Sequence, residues 1–279
     1  MTKPDWLRIR LGNNSDFSII GNIVKRSGLH TICESGRCPN LGECWNRKTA
    51  TFMIAGEICT RNCKFCNTLS GKPLPLDSDE PQKIAESVRE LELKHVVITS
   101  VNRDDLPDSS AEHWNSTILK IKELNPNTTL EVLIPDFYGK PELLNRIIET
   151  KPDIIAHNIE TVNRLTPLVR SVAQYETGLR VLKQIADAGI RCKSGLMLGL
   201  GETPDEIIET LRDLYTAGCR LLSIGQYLQP SKKNIPVSAY IHPDTFAEYK
   251  QKALEIGFRH VESAPLVRSS YHSAEGLLF

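Results

Sequence analysis

A short apolar run and a cysteine run stand next to each other in the segment Ala50-Thr51-Phe52-Met53-Ile54-Ala55-Gly56-Glu57-Ile58-Cys59-Thr60-Arg61-Asn62-Cys63-Lys64-Phe65-Cys66. The apolar run predicts a buried strand. The cysteine spacing, C-x3-C-x2-C, places three thiolates within eight residues. Three protein thiolates on a four-iron cube leave one iron open, as a catalytic metal site requires. A zinc site is the alternative, although zinc more often uses paired C-x2-C knuckles.

Beyond this segment, short β-branched runs alternate with amphipathic stretches. The predicted strands are 50–55, 95–100, 129–134, 154–159, 192–198 and 221–227. The predicted helices are 81–93, 111–124, 141–149, 176–188, 205–217 and 244–256. Such alternation predicts an α/β fold with parallel strands and right-handed crossovers. Because only six units are visible, we expect a partial (β/α)6 barrel with its site at the carboxyl ends of the strands.

Three parts of the chain are predicted: an N-terminal extension at 1–49, the partial barrel at 50–259 and a C-terminal tail at 260–279. Both extensions are expected to be irregular. The N-terminal one carries a second cysteine triplet with C-x4-C-x5-C spacing, formed by Cys33, Cys38 and Cys44.

Buried free thiols have no reason to gather at ligand spacing in a loop, so this triplet predicts a second metal centre that lacks one ligand. A zinc arrangement that adds His30 is the alternative. Cys192 and Cys219 have no cysteine neighbour in the sequence and are expected to be small buried side chains.

The composition excludes some classes of protein. The 279 residues contain 34 basic and 34 acidic side chains, so net charge gives no reason to expect nucleic acid or an anionic membrane as the main partner. No window approaches the roughly 18 apolar residues of a membrane helix, and the N-terminus resembles neither a secretory signal nor a transit peptide. We therefore expect a reducing cytoplasm, where eight cysteines favour metal ligation over disulfides.

The cysteine motif at 59–66, with an aromatic residue before its third cysteine, resembles the cluster motif of radical S-adenosylmethionine (SAM) enzymes. The second triplet, Cys33, Cys38 and Cys44, together with the terminal Arg268-Ser269-Ser270-Tyr271, resembles the lipoyl synthase family. The resemblance extends from His30 to His272. It implies a radical-SAM partial barrel with two 4Fe-4S clusters and SAM as cofactors.

The resemblance also implies the reaction. Cys59, Cys63 and Cys66 would hold the cluster whose open iron chelates SAM, and reductive cleavage would give a 5′-deoxyadenosyl radical. Sulfur would then replace hydrogen at carbons 6 and 8 of an octanoyl chain on a carrier-protein lysine. The second cluster would donate the sulfur, with Ser270 as its fourth ligand and Ser269 as the fallback. A hard oxygen on an otherwise soft site is the ligand most easily lost.

Further cofactor contacts are implied at Phe65, Asn102, Asn158, Glu160, Lys193 and Gly199. Gly199 lies in 195–202, a stretch similar to the adenine-lining pattern of radical SAM folds, and a closely packed strand end is the alternative. Asn102 follows the second strand, where a capped turn is the alternative. Asn158 and Glu160 lie two apart and hence on one face, unless the register shifts by one residue.

The implied partners are an octanoylated lipoyl carrier domain or H-protein and a low-potential electron donor of the ferredoxin or flavodoxin class. Alternatives are a biotin-synthase-like sulfurtransferase, an iron–sulfur electron carrier and a zinc-binding interaction module. The second triplet and the terminal serine motif argue against the biotin-synthase-like sulfurtransferase. A carrier needs neither a long strand–helix domain nor an open coordination position.

Overall fold

The computed structural model describes residues 2–7, 16–46 and 49–279, with the side chains of 16–19 and 46 left aside. The chain divides into two compact units. Among the described residues, the first unit comprises 16–46, 49–62 and 67–153, and the second comprises 2–7, 63–66 and 154–279.

The first unit begins with short helices and continues with strand–helix alternation. Its elements are α1 (Asp16–Arg26), β1 (His30–Thr31), α2 (Ile32–Ser35), α3 (Leu41–Asn46), β2 (Thr51–Ile54), β3 (Ile58–Cys59), β4 (Leu69–Ser70), α4 (Glu80–Glu90), β5 (His95–Ser100), α5 (Ala111–Leu124), β6 (Thr129–Leu133) and α6 (Pro141–Ile148). Strands β2, β5 and β6 pair in parallel, and β1 adds to β2 in the antiparallel direction. The β2 side chains are all buried, as expected of a strand covered on both faces.

The second unit is built on four parallel strands in the order β7-β8-β9-β10. Its elements are β7 (Ile154–Ala156), α7 (Thr166–Val169), α8 (Tyr175–Asp187), β8 (Arg191–Leu198), α9 (Pro204–Thr216), β9 (Leu221–Gln226), α10 (Pro243–Ile256) and β10 (His260–Ser263). Helix α9 begins with a capping box, in which Thr203 and Glu206 satisfy each other's backbone N–H groups. Helix α10 ends at Gly257, whose φ of 118° is the left-handed conformation that glycine tolerates.

All six predicted strands and all six predicted helices are confirmed, most of them to within one residue at each end. Strand β7 ends three residues earlier than predicted. The cause is Ser194, whose hydroxyl accepts the N–H of Ile159 and donates to the carbonyl of His157 in place of backbone pairing.

The expectation of irregular extensions is corrected in two places. Residues predicted as loop form α1, where Ile20, Ile23 and Val24 are buried at helical spacing. The tail contains β10, which has only Val261 as a buried apolar residue and so gives a weak strand signal. In the described part of the chain, no helix is long and apolar enough to cross a membrane.

One glycine of the second unit is required by a close backbone approach. A β-carbon at Gly225 in β9 would overlap the carbonyl oxygen of Val267, and Gln226 donates its N–H to the carbonyl of Pro265 at 3.1 Å. The missing side chain therefore lets the tail cross the end of β9.

We predict that Gly225→Ala destabilises the protein by about 1–3 kcal/mol, because a backbone carbonyl cannot move aside as a flexible side chain can. The control is Gly42→Ala in α3, where nothing lies within 4 Å of the added carbon. Urea unfolding of both variants in cluster-free form measures the difference. Equal stability of the two variants would contradict the close approach.

Candidate active site

The turn after β2 leads the chain into the cysteine motif, and it is fixed from both sides. Ala55 has a left-handed φ of 66°, followed by Gly56 at 92°. The N–H of Ala55 donates to the buried carboxylate of Glu80 at 2.8 Å. The carbonyl of Ala55 accepts a hydrogen bond from Arg103 at 3.3 Å. These two contacts determine where the chain enters the motif.

Cys59 lies on β3 in the first unit, and its sulfur accepts two backbone hydrogen bonds. The donors are the N–H of Arg61 at 3.4 Å and the N–H of Asn102 at 3.3 Å. The Asn102 carbonyl in turn accepts the N–H and the hydroxyl of Thr60, each at 3.0 Å. Hydrogen bonds to sulfur are one of the factors that set the potential of an iron–sulfur cluster. In this structure Asn102 acts through its backbone, and its predicted contact with the cofactor stays a prediction.

Arg61, inside the cysteine motif, is the site residue that the sequence analysis missed. Arg61 is 4% exposed, and its guanidinium binds two carboxylates. Nε and Nη2 donate to Asp104 at 2.7 and 3.1 Å. Nη1 and Nη2 donate to Asp136, each at 2.8 Å. The ring of Tyr138 lies 4.8 Å away. Burial works against the charge, but the hydrogen bonds that Arg61 donates to Asp136 and Asp104 raise its pKa above the ordinary value. Sequence alone cannot separate such an arginine from an exposed one.

In the second unit, the segment from Cys63 to Cys66 is held by its backbone. Lys64 donates its N–H to Val169 at 2.8 Å, and its carbonyl accepts the N–H of Ile235 at 3.0 Å. The Asn234 amide donates to the carbonyl of Cys66 at 2.8 Å. Phe65 is half-buried. Both sulfurs thus sit on a loop whose path is defined by three hydrogen bonds.

Asn158 and Glu160 both follow the end of β7, and Glu160 has a left-handed φ of 71°, so strand alternation does not decide which way their side chains point. Their side chains are hydrogen-bonded to each other. Burial raises the pKa of Glu160, while the nearby charge of Arg170 and the Asn158 hydrogen bond pull it down. The Asn158 amide also donates to the Ser269 hydroxyl at 2.6 Å. The structure therefore brings one of the two terminal serines to this polar group.

The glycine-rich stretch of β8 has specific packing reasons for two of its glycines. A β-carbon at Gly195 would lie 2.6 Å from the Asn158 amide oxygen. Gly199 has a φ of 98°, and a β-carbon there would overlap Gln226 and the carbonyl of Ala239. Glu202 accepts the N–H groups of residues 199 and 200, so it stabilises the turn that ends the strand.

Lys193 is buried at 5% exposure and lies two residues before Gly195, hence on the same face of β8. It lines a small cavity together with His260 and Glu262 of β10 and Tyr271 of the tail. Within the second unit, Asn158, Lys193 and the terminal motif thus belong to neighbouring parts of one face.

The second triplet lies in the first unit. Cys33 is buried in α2, whose first turn is capped by Thr31. The N–H of Cys38 bonds to the carbonyl of Cys33 at 2.9 Å, and the N–H of Cys44 in α3 bonds to the carbonyl of Asn40 at 2.9 Å. Burial raises the pKa of the Cys33 thiol, and the nearby Cys38 raises it further. The backbone hydrogen bond between them keeps Cys33 and Cys38 close, as two ligands of one centre must be.

The chemistry of the side chains present fits iron–sulfur clusters and a polar cofactor. All eight cysteines lie in the described part of the chain, and none forms a disulfide. The five other motif cysteines are half-buried, whereas Cys192 and Cys219 are buried at 2% and 0% exposure, as expected of packing residues. Among the described residues, the buried Oγ of Ser100 and Nε of Arg170 lack a protein partner. A bound polar molecule would satisfy such atoms.

Comparison with known proteins identifies the class. A family model described as the radical SAM superfamily matches residues 53–214. The fold is similar to that of SuiB of Streptococcus suis bound to S-adenosylmethionine, with TM-score 0.62, 11% identity, and coverage of 81% of this chain and 54% of that one. Methylornithine synthase (PylB) gives TM-score 0.57 and 13% identity, covering 76% and 70%. The protein is thus a member of the radical SAM superfamily, which confirms the predicted α/β partial-barrel fold class.

More similar relatives narrow the assignment. Lipoyl synthase of Parabacteroides distasonis is 60% identical over 273 residues, which cover 98% of this chain and 97% of that protein. Lipoyl synthase of Treponema denticola is 58% identical over 276 residues, covering 99% and 95%. The chain belongs to the lipoyl synthase family. This confirms the predicted enzyme class, a radical SAM sulfurtransferase, and the predicted cofactors, SAM and two 4Fe-4S clusters. The individual site residues stay predictions.

We predict that Arg61→Lys lowers the free energy of unfolding of the cluster-free protein by about 2–4 kcal/mol, because lysine cannot bind two buried carboxylates in the same fork geometry. The matched control is Arg164→Lys, since Arg164 forms an exposed pair with Glu206. That variant is expected to change stability by less than about 1 kcal/mol. Urea denaturation measures both, and equal losses would contradict a special role for the buried pair.

Proposed function

We propose that this protein catalyses the lipoyl synthase reaction, inserting sulfur at carbons 6 and 8 of an octanoyl chain on a carrier-protein lysine. The observation that carries the proposal is the presence of two separate cysteine triplets in a chain about as long as its lipoyl synthase relatives and 60% identical to one of them. An electron carrier would need neither the long strand–helix domain nor a cluster with an open coordination position.

Cys59, Cys63 and Cys66 would hold the cofactor cluster. When bound, this cluster and SAM supply one-electron chemistry strong enough to remove hydrogen from an unactivated methylene, which no acid–base side chain can do. The protein's own contribution is to position the reacting groups and to exclude water. The two N–H groups on the Cys59 sulfur and the buried Arg61 behind it support this, because they fix one sulfur before any cluster binds.

Cys33, Cys38 and Cys44 would hold the second cluster, which is consumed as the sulfur source. We assign its fourth ligand to Ser270. The hydrogen bond from the Asn158 amide to Ser269 holds the segment that carries Ser270. The tail turn in which Tyr271 donates its N–H to Arg268 at 2.9 Å also gives the motif a defined backbone.

Polar groups of the second unit would bind SAM. Asn158 and Glu160 offer an amide and a carboxylate side by side, and Lys193 offers a cation on the same strand face as Gly195. A carboxylate close to Arg170 suits the amino and hydroxyl groups of a nucleoside cofactor. The proposed SAM-binding residues also include Phe65, Asn102 and Gly199.

The partners are proposed on the same grounds. The substrate would be an octanoylated lipoyl carrier domain or H-protein, and electrons would come from a donor of the ferredoxin or flavodoxin class. A cytoplasmic location stays a prediction from the sequence.

We predict different losses for the two triplets. Alanine at Cys59, Cys63 or Cys66 should abolish formation of both 5′-deoxyadenosine and lipoyl product. Alanine at Cys33, Cys38 or Cys44 should leave 5′-deoxyadenosine formation within about threefold and stop sulfur insertion, since only the sulfur source is lost. Mass spectrometry on an octanoyl-lysine peptide with dithionite and SAM measures both products.

Iron analysis of the same proteins supplies the control. The unmodified protein should bind about eight irons, and each variant about four. Cys192→Ala, which removes a packing thiol, should keep about eight. Equal loss of both products in the second set would contradict the division of labour between the triplets.

The assignment of Ser270 has its own test. Ser270→Ala should reduce sulfur insertion at least tenfold with normal 5′-deoxyadenosine formation, because the second cluster loses its oxygen ligand. Ser269→Ala is the matched control, with the same atoms removed one residue away. The reverse pattern would move the ligand to Ser269, and no effect of either would refute a serine ligand.

A further inference from the structure

Three segments of the second unit meet around Cys63. The N–H of Lys64 bonds to Val169, and the carbonyl of Lys64 accepts from Ile235. The Cys63 sulfur lies 3.9 Å from the hydroxyl of exposed Ser171. Residues 63–66, 168–172 and 231–235 are thereby tied together next to a cysteine assigned to the cofactor cluster.

The exposed side chains of these segments are apolar and cationic. Leu168 and Val172 are 53% and 47% exposed, and Lys64, Lys232 and Lys233 are exposed as well. No acidic residue occurs in the three segments. Because adjacent α-carbons are about 3.8 Å apart, the α-carbons of Lys232 and Lys233 lie within roughly 12 Å of the α-carbon of Ile235, whose N–H bonds to the Lys64 carbonyl. We call these five residues the basic face.

Such a surface has the character of a transient docking site. Exposed aliphatic side chains give a small area to desolvate, and surrounding cations attract an acidic partner and speed its encounter. Weak electron-transfer complexes use small interfaces of this kind. A conventional stable interface would need a larger apolar area than two side chains supply.

The position of the basic face next to Cys63 favours an electron donor over a carrier domain as its partner. An electron donor must bring its redox group close to a cluster ligand, because electron transfer weakens steeply with distance. A carrier domain can dock further away, since its octanoyl-lysine arm spans the gap. Val172 of the basic face follows Ser171, whose exposed hydroxyl lies 3.9 Å from the Cys63 sulfur.

We propose that the basic face is the docking surface for the electron donor, an acidic redox protein of low potential. This rests on the proposed function, in which Cys63 holds the cluster that receives the electron. Lys232 and Lys233 supply the attraction, and Leu168 and Val172 supply the contact.

The test compares cluster reduction by two reductants. In the double variant K232E/K233E, the rate of reduction by reduced flavodoxin, an acidic flavoprotein, should fall by at least about tenfold at low salt. Its dependence on ionic strength should also weaken. Reduction by dithionite, a small reductant that needs no docking surface, should be unchanged. Stopped-flow absorbance of the iron–sulfur chromophore in the full protein measures both rates.

The matched control is K250E/K252E on α10, which carries the same change in net charge on exposed residues outside the basic face. An equal fall in the control would show a general charge effect and overturn the proposal. So would an unchanged flavodoxin rate in K232E/K233E. A higher KM for the octanoylated carrier, measured with dithionite and accompanied by a normal flavodoxin rate, would assign the face to the substrate instead.

The outcome is separable from the proposed function. The reduction rates are read from the cluster itself, without the sulfur product. A protein whose cluster is reduced normally but which inserts no sulfur would contradict the lipoyl synthase assignment and leave the docking result standing.

Discussion

The pairing of Arg61 with Asp104 and Asp136 is the interaction on which the first cysteine of the motif depends. A buried ion pair stabilises a fold only where the geometry repays the desolvation of both charges. Here two carboxylates meet the planar guanidinium through four nitrogen–oxygen contacts of 2.7 to 3.1 Å. The arrangement therefore has one well-defined geometry, and the backbone N–H that meets the Cys59 sulfur belongs to the same residue. The ion pairs that fix the Arg61 side chain therefore also help to fix the backbone N–H that donates to the Cys59 sulfur.

A second constraint acts at the other end of the chain, within the second unit. The tail can cross β9 only because Gly225 has no side chain, and a similar absence at Gly195 makes room for the Asn158 amide. Asn158 then donates to Ser269. Two glycines on adjacent strands thus link the packing of the sheet to the position of the terminal serine motif. Close backbone approach therefore contributes to holding the terminal serine motif in place.

The fold was accessible from the sequence because each strand and helix carries its own periodicity and end signals. The two cysteine triplets were accessible for a similar reason, since ligand spacing is local. Arg61 was not, because its partners come 43 and 75 residues later in the chain. Strand β10 was missed because its single apolar residue gives no alternation. The local turn roles of Glu202 and of the Asn102 backbone also depend on geometry that residue type alone does not specify.

The cysteines of the 59–66 segment differ from Cys192 and Cys219 in their burial. Cys192 and Cys219 are fully buried, and burial raises the pKa of the Cys192 thiol well above its ordinary value, with the hydrogen bond to Cys219 adding to the effect. The motif cysteines of the 59–66 segment are half-buried and receive N–H or hydroxyl contacts at two of their sulfurs. Partial exposure leaves room for a cluster and for an electron to enter, so the exposure of these thiols is itself part of the site.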